Sequence, residues 1–264
     1  MPLTGKTPFK VEYAVEMTCN DCVESVSNAL ADIPGIDGFY VDLSEQRVTV
    51  EGTAPPSKVF KIIRSTGRKV VVRGQGTLKG HAGAAVCIFE DYTYIPASDD
   101  EPEPKRPPRG VARFIQIDKD ICVIDVTVEG IPPGTHGIHI HETGDISDGV
   151  ASTGDHYNPE GVAHGDLEQG HVGDLGNIVV DENGWGDLLV ESRRIKVWDI
   201  IGRSMVITHD EDDLGQGSNE QSKIDGNSGR GALTGVIARS AGAFENSKKI
   251  CACSGTTLWE DVRI

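Results

Sequence analysis

Seven of the eight histidines fall between His136 and His209. Their spacing constrains the fold of this chain more than any other feature. In His136-Gly-Ile-His139-Ile-His141 the last two histidines form an H-x-H pair. On a β-strand such a pair puts both imidazoles on one face, where two nitrogens can meet one metal. His156, His164, His171 and Asp174 follow in a glycine-rich loop, giving three nitrogens and a carboxylate, a closed four-ligand set suited to structural Zn(II). Any one of these histidines alone reads as a surface residue; together they read as a metal centre. Short alternating or apolar runs surround them: Ala85–Phe89, Val111–Ile117, Cys122–Val128, Gly137–His141, Ile178–Val180, Asp187–Val190, Met205–Thr208 and Gly235–Ala238. Gly- and Asp-rich turns separate the runs, which predicts an antiparallel all-β sandwich or barrel. The proline-rich, charged stretch Ser98–Arg109 reads as a solvated loop between the first two of these strands.

A different pattern precedes this region. The formal charge is −16 over 264 residues, and up to Gly74 acidic and basic residues balance, so the whole excess lies beyond it. In the first segment Val11, Tyr13, Val15 and Met17 alternate as on a half-buried strand. Val23, Val26 and Leu30 carry the spacing of one helical face that stops at Pro34-Gly35. Phe39–Leu43 and Arg47–Glu51 read as strands, Pro56–Thr66 as a helix with Val59, Ile62 and Ile63 inward, and Lys69–Val72 as a last strand. That order is βαββαβ, the ferredoxin-like α+β unit. The expected organisation is a domain at 1–74, a linker at 75–83, an all-β domain at 84–240 and a short irregular tail at 241–264.

Met17-Thr18-Cys19-Asn20-Asp21-Cys22 puts two thiols at the turn between a strand and a helix. Two thiolates suit Cu(I) far better than Mg or Ca. A helix N-terminus favours the thiolate, and an exposed turn lets incoming sulfur ligands displace the outgoing ones. A bare CxxC also serves redox sites and zinc knuckles. A thioredoxin-like domain needs a longer parallel sheet, and a zinc knuckle needs a second ligand pair nearby; neither is present. Met17 reads as core support for the loop. Arg68 and Lys69 read either as counter-charges to the thiolates or as plain helix-end charges. Cys251-Ala-Cys253 is a second close pair, in the tail, able to hold Cu(I) or to form a strained, exchangeable disulfide. Cys87 and Cys122 sit in strand runs and read as buried apolar thiols.

The acidic balance argues against a nucleic-acid partner or an anionic membrane surface. No run approaches the roughly 18 apolar residues of a membrane span, and the start MPLTGKTPFK has no apolar signal core. The expected location is the cytoplasm.

The MxCxxC turn in its βαββαβ setting resembles the heavy-metal-associated domains. HGIHIHETGD, GDHYNPEGVAHG, GHVGDLGNIVVDENG, IIGRSMVI and DDLGQGSNEQSKIDGNSG resemble successive segments of Cu,Zn superoxide dismutase, over about residues 84 to 240. This resemblance implies a Greek-key barrel. It implies zinc on His156, His164, His171 and Asp174, and a residual copper site at His139 and His141 with His156 as bridge. Asp212 would orient ligands of both metals. The departures matter as much: Thr208 falls where the enzyme has its fourth copper histidine, with His209 one place later, reachable only through a bulge. Gly231 falls where the enzyme has its substrate-guiding arginine, with Arg230 one place early. Val150 and Thr234 stand where the enzyme has its disulfide cysteines.

With the CxC tail added, the whole chain resembles the copper chaperones for superoxide dismutase. What that implies is Cu(I) capture at Cys19 and Cys22 from a copper donor, then docking to Cu,Zn superoxide dismutase as a heterodimer through Gly144, Ile201 and Gly202. Copper transfer and disulfide exchange would follow at Cys251 and Cys253. A homodimer of the free protein is left open, and no dismutase activity of its own is expected. Two other readings stand beside this one: an active dismutase with a fused copper-feeding domain, and a passive copper store.

Overall fold

A computed structural model describes residues 8–77, 83–90 and 108–242. They form two compact units. The first takes the described residues of Met1–Ala84 with Ile115–Lys119 and Ser240–Ile264, the second Ala85–Phe114 and Asp120–Arg239.

The first unit runs β1 (Phe9–Val15), α1 (Asn20–Ala31), β2 (Ile36–Asp42), β3 (Arg47–Gly52), α2 (Pro56–Ser65) and β4 (Val70–Thr77). Its sheet order is β2-β3-β1-β4, and the pairs are antiparallel. This is the expected βαββαβ unit. Val11, Tyr13 and Val15 alternate along β1 and are almost fully buried, together with Met17, Val26, Leu30 and Ile63. The Tyr13 hydroxyl donates to the Pro56 carbonyl at 3.1 Å, which satisfies the one polar atom that this large ring carries inward. Two helical faces rotate slightly from expectation. Cys22, Val26 and Leu30 are the buried positions of α1, with Val23 half-buried. In α2, Phe60 takes the inward place expected for Ile62, because Pro56, Val59, Phe60 and Ile63 form the better i, i+3, i+4, i+7 stripe. β4 also extends three residues into the stretch read as a linker, since Gln75 and Gly76 pair with Val11 and Lys10 of β1 although neither carries an apolar signal.

The second unit is a closed eight-stranded barrel, in the order β10-β7-β6-β5-β12-β11-β8-β9. Its strands are β5 (Ala84–Glu90), β6 (Arg109–Gln116), β7 (Cys122–Glu129), β8 (Gly134–His141), β9 (Asp174–Val180), β10 (Trp185–Ser192), β11 (Ser204–Thr208) and β12 (Gly231–Arg239). Every expected run lies within one of these strands save its last residue at Ile117, and β8 pairs with β11 across the intervening β9 and β10 as a Greek key does. Phe89, Phe114, Ile124, Ile138, Ile140, Ile178, Met205, Ile207 and Ile237 fill the interior. Cys87 and Cys122 join that core, and burial pushes the Cys87 thiol up, so it is an inert apolar filler. The proline-rich loop lies outside the described residues except its last two, of which Arg109 opens β6.

Candidate metal centres

Cys19 occupies the N-cap of α1 and Cys22 sits three residues on, so both sulfurs hang at the positive end of the helix. The sulfurs are 3.5 Å apart; Cys19 is exposed and Cys22 buried. Hydrogen bonds from the backbone N–H groups of Thr18 and Cys19 and from the Cys19 side chain, with a further contact from the Thr18 hydroxyl, hold the Cys22 thiol down at about 6. It is therefore a thiolate at neutral pH. Met17 is 2% exposed and its carbonyl accepts from Gln46 at 3.0 Å, which braces the loop from behind. Arg68 donates to the Thr66 carbonyl at the end of α2, and Lys69 is exposed.

In the barrel the period of β8 sends Ile138 and Ile140 into the core and His139 and His141 to the other face. The loop after β8 folds back along it. Glu142 N donates to Asp155 O at 2.9 Å and Tyr157 N to Ile140 O at 2.7 Å, and this bridge sets His156 beside His141. The His139 and His156 rings stack with centroids 3.9 Å apart. Asp174, the first residue of β9, gathers the loop: its Oδ1 lies 2.9 Å from His156 Nδ1 and 3.3 Å from His171 Nδ1, and its Oδ2 lies 2.9 Å from His164 Nδ1. Backbone N–H groups of Gly165 and His171 donate to Oδ2 at 3.2 and 2.8 Å.

Asp212 takes the far side of two of these rings. His139 Nε2 donates to its Oδ2 at 2.9 Å and His164 Nε2 to its Oδ1 at 2.7 Å. Asn177 fixes Asp212 in turn, with Nδ2 on the Asp212 carbonyl and Oδ1 accepting the Asp212 N–H. Because the neutral His139 ring carries its proton on Nε2, its Nδ1 presents a lone pair; His164 carries a proton on each nitrogen and directs Nδ1 at Asp174 Oδ2. The Gly154 carbonyl, which can only accept, fixes the His141 proton on Nδ1 and frees Nε2. His139 Nδ1 and His141 Nε2 are buried without a hydrogen-bond partner, while His164 Nδ1 and His171 Nδ1 face Asp174. Unpaired imidazole nitrogens beside histidines gathered on a buried carboxylate are the chemistry of a donor set for a borderline dication, which Zn(II) fits.

Electrostatics agrees. Burial, and then the neighbouring His156, push His139 down to about 4 and His141 to about 3, so both are neutral donors. Burial works against the charge on His164, yet hydrogen bonds and charge from Asp174 and Asp212 outweigh it and lift this ring to about 9. Burial likewise opposes ionisation of the two carboxylates, and the histidines override it: Asp212 sits at about 2, and Asp174 lies far below the usual range.

One ligand atom each from His139, His156, His164 and Asp174 lies within 4.8 Å of the others. His139 enters that tight group through its stack on His156, but its proton-bearing nitrogen is committed to Asp212, and His171 remains the third ring facing Asp174. His136, part of the cluster in sequence, is not part of it in space. Its two ring nitrogens face the carbonyls of Thr208 and Pro132, each at 2.9 Å, and it clamps the loop before β8 onto β11.

Thr208, which the resemblance sets in place of a copper histidine, lies on the wall of a cavity with His141 and His156. Thr208 is buried and its hydroxyl donates to the carbonyls of Gly137 and Asp210. The strands do contain an irregularity at Ile207/Thr208, but the extra residue lies on β12, where Gly231 pairs with Thr208 and Leu233 with Ile207. His209 therefore stays exposed and does not reach the cluster. Thr208, His141, His156, His171, Val150, Lys223 and Gly231 help line a cavity of about 490 Å³. A Cβ on Gly231 would lie 2.4 Å from a Val150 methyl. Val150 thus occupies the space that a side chain at position 231 would need. Thr234, at the other, donates to the Met205 carbonyl at 3.1 Å.

Among the docking candidates, Gly144 packs against the Gly202 carbonyl and Ile201 rests on the barrel core; Trp198, three residues before Ile201 in sequence, is 52% exposed. Cys251 and Cys253 lie outside the described residues.

Comparison with known proteins decides the family. The model of the heavy-metal-associated domain matches residues 12–69, and that of copper/zinc superoxide dismutase matches 108–237. A mouse (Mus musculus) protein named "Copper chaperone for superoxide dismutase" is 42% identical over 261 residues, covering 97% of this chain and 90% of the relative. The chain belongs to the copper chaperones for superoxide dismutase. A Saccharomyces cerevisiae member, "Superoxide dismutase 1 copper chaperone", is 33% identical over 260 residues, covering 98% of this chain and 96% of its own length. The human member is 41% identical over 254 residues, covering 95% and 88%. These family members are named as chaperones rather than as dismutases, which does not favour the reading of a fused active enzyme. Among the described residues no helix is long and apolar enough to cross a membrane.

Proposed function

We propose that this chaperone takes up Cu(I) at Cys19 and Cys22 and delivers it to a Cu,Zn superoxide dismutase subunit held against its own dismutase-like barrel. The observation that carries this reading is the two-sulfur turn: one sulfur exposed, one held as thiolate, at a helix N-terminus where partner sulfurs can displace them. Copper here is cargo.

The barrel supplies the docking surface, with Gly144, Ile201 and Gly202 at the contact with the target, and its own metal is Zn(II) on His156, His164, His171 and Asp174. Zinc would neutralise the carboxylates and lock the loop as a structural ion. His139 and His141 keep neutral lone pairs for a residual copper site with His156, but Thr208 supplies no fourth nitrogen and Gly231 no cation, which supports the absence of stand-alone dismutation.

The tail completes the transfer. With Cys251 and Cys253 joined as a disulfide, a target thiolate attacks one sulfur, and the target's second thiolate then displaces the tail from the mixed disulfide. The target gains its disulfide, the tail leaves as a dithiol, and electrons balance. A cytoplasmic location and a heterodimer with the target are part of this proposal. One plant relative (Arabidopsis thaliana) is named chloroplastic/cytosolic.

Mixing copper-loaded protein with copper-free, zinc-loaded, reduced superoxide dismutase tests the scheme. Target activity and target disulfide should rise together, and only with Cys251 and Cys253 intact. High turnover by this protein alone would instead identify the barrel as an enzyme, and failure to bind any dismutase would leave a copper store.

A further inference from the structure

We propose that Arg194 is a positioning residue for the zinc donors, acting through a single peptide unit; the proposal rests on the assignment of zinc to His156, His164, His171 and Asp174. Arg194 follows β10 in a turn built on Ser192, whose buried hydroxyl accepts the N–H groups of Arg194 and Ile195 at 3.2 and 3.1 Å. Ile195 is fully buried in the barrel core, so the base of the arginine is fixed on both sides. Its guanidinium, on a side chain only 18% exposed, reaches across to the histidine loop. There it donates to the Gly170 carbonyl at 2.7 Å, to the Leu167 carbonyl at 3.4 Å and to the Glu160 carboxylate at 2.9 Å.

The Gly170 carbonyl and the His171 N–H belong to one planar peptide unit, so fixing the oxygen fixes the hydrogen on the opposite edge. That N–H donates to Asp174 Oδ2 at 2.8 Å. The same oxygen faces His164, and its carboxylate partner faces His156 and His171. Gly170 lies so close that a Cβ there would sit 2.5 Å from Asp174 Oδ2, so only glycine lets this peptide approach the carboxylate. Arg194 thereby sets the orientation of the carboxylate around which all three rings converge.

Arg194 adds a side-chain tie to backbone bonds that already hold the loop, Tyr157 N–H to the Ile140 carbonyl, Gly173 N–H to the Tyr157 carbonyl and His164 N–H to the Lys223 carbonyl. No covalent bridge ties it down through Val150, and glycine recurs at 154, 161, 165, 170 and 173. Leu167 is its apolar anchor on the core, and Asp166 organises the local turn by accepting the N–H groups of Glu168, Gln169 and Gly170. The guanidinium meets two carbonyls and a carboxylate in one fixed plane, whereas an ammonium is a compact donor on a flexible stem without that pre-set geometry.

The test uses the full zinc-loaded chain and reads the rate of zinc release to a chromogenic chelator, with the visible spectrum of the Co(II)-substituted form as a second readout. Arg194→Met should release zinc about tenfold faster, the low end for loss of a group that orients metal ligands. It should also distort the tetrahedral Co(II) bands. Arg194→Lys should fall between, and Glu160→Gln should stay within about twofold, because an ion pair to an exposed carboxylate is weak. If Arg194→Met unfolds the zinc-free chain, Arg194→Lys carries the test alone through the Co(II) bands. Unchanged release and bands in both arginine variants would overturn the proposal, as would a Glu160→Gln effect equal to that of Arg194→Met. Should the unaltered chain bind zinc no better than His171→Ala does, the zinc assignment itself fails, and the proposal with it.

Discussion

The cysteine turn of the first unit and the histidine pocket of the second are both metal sites by chemistry, and they are built in opposite ways. The turn offers two sulfurs, from the N-cap and the first turn of α1, with one side open and a single thiolate stabilised by local N–H groups. The pocket draws donors from β8, its following loop and β9, buries them, and holds each ring by a second contact to Asp212, Asp174 or Gly154. An open two-donor site lets a competing ligand enter before the ion leaves, so exchange is fast. A closed four-donor site must first open, so its ion stays. In the proposed function this difference separates copper as cargo from zinc as resident metal.

The contrast predicts its own tests. The largest effect belongs to Asp174→Asn, which removes the anion around which three rings converge. Zinc affinity should fall by more than about a hundredfold, beyond the span expected for a merely orienting partner. A smaller loss, measured by chelator competition, would mean that the rings assemble without it. Stripping zinc comes next. At a thousandfold excess over the dissociation constant a bound ligand adds about 4 kcal/mol, or a melting shift of about 8–16 °C for a barrel of this size. Calorimetry should find this shift in the barrel transition; an equal shift in the first unit would show that the two do not unfold separately.

Thr208→His puts an imidazole on the wall shared by His141 and His156. Cu(II) affinity should rise about tenfold, as one more nitrogen ligand warrants. Superoxide turnover should remain low, since Gly231 provides no cation and Val150 fills the space beside it. Electron paramagnetic resonance and a turnover assay read the two separately. The smallest effect is a titration. With its pKa lowered from 9.0 to about 6, Cys22 is a thiolate throughout the neutral range and gains its proton only as pH falls through about 6. The thiolate absorbance lost in Cys22→Ser should therefore have a midpoint near pH 6, and one near 9 would show that the helix end does not stabilise the anion.

Much of the architecture was readable beforehand because it follows from period. Val11, Tyr13 and Val15 announce a half-buried strand, and the βαββαβ order needs only the alternation of periods 2 and 3.6. Strand ends were shortened where polar or small residues pair without an apolar signal, as at Gln75-Gly76 and at Asp174, which opens β9 as a metal donor. Phe60 against Ile62 shows the same limit inside α2, since neighbouring apolar positions compete and packing selects between them.

The residues that make the pocket work were not readable. Asn177 on Asp212, Gly154 on His141 and Arg194 on Gly170 carry no spacing that relates them to a histidine many residues away. His136 had the right type and the right neighbourhood, yet it holds two carbonyls rather than joining the donors. Residue type and spacing along the chain were enough to give the donor chemistry, because imidazoles, thiols and carboxylates keep their ligand character wherever they fall. Which nitrogen carries a proton, which lone pair is free and which peptide unit is held follow from hydrogen bonds between segments distant in sequence, and those exist only once the barrel has closed.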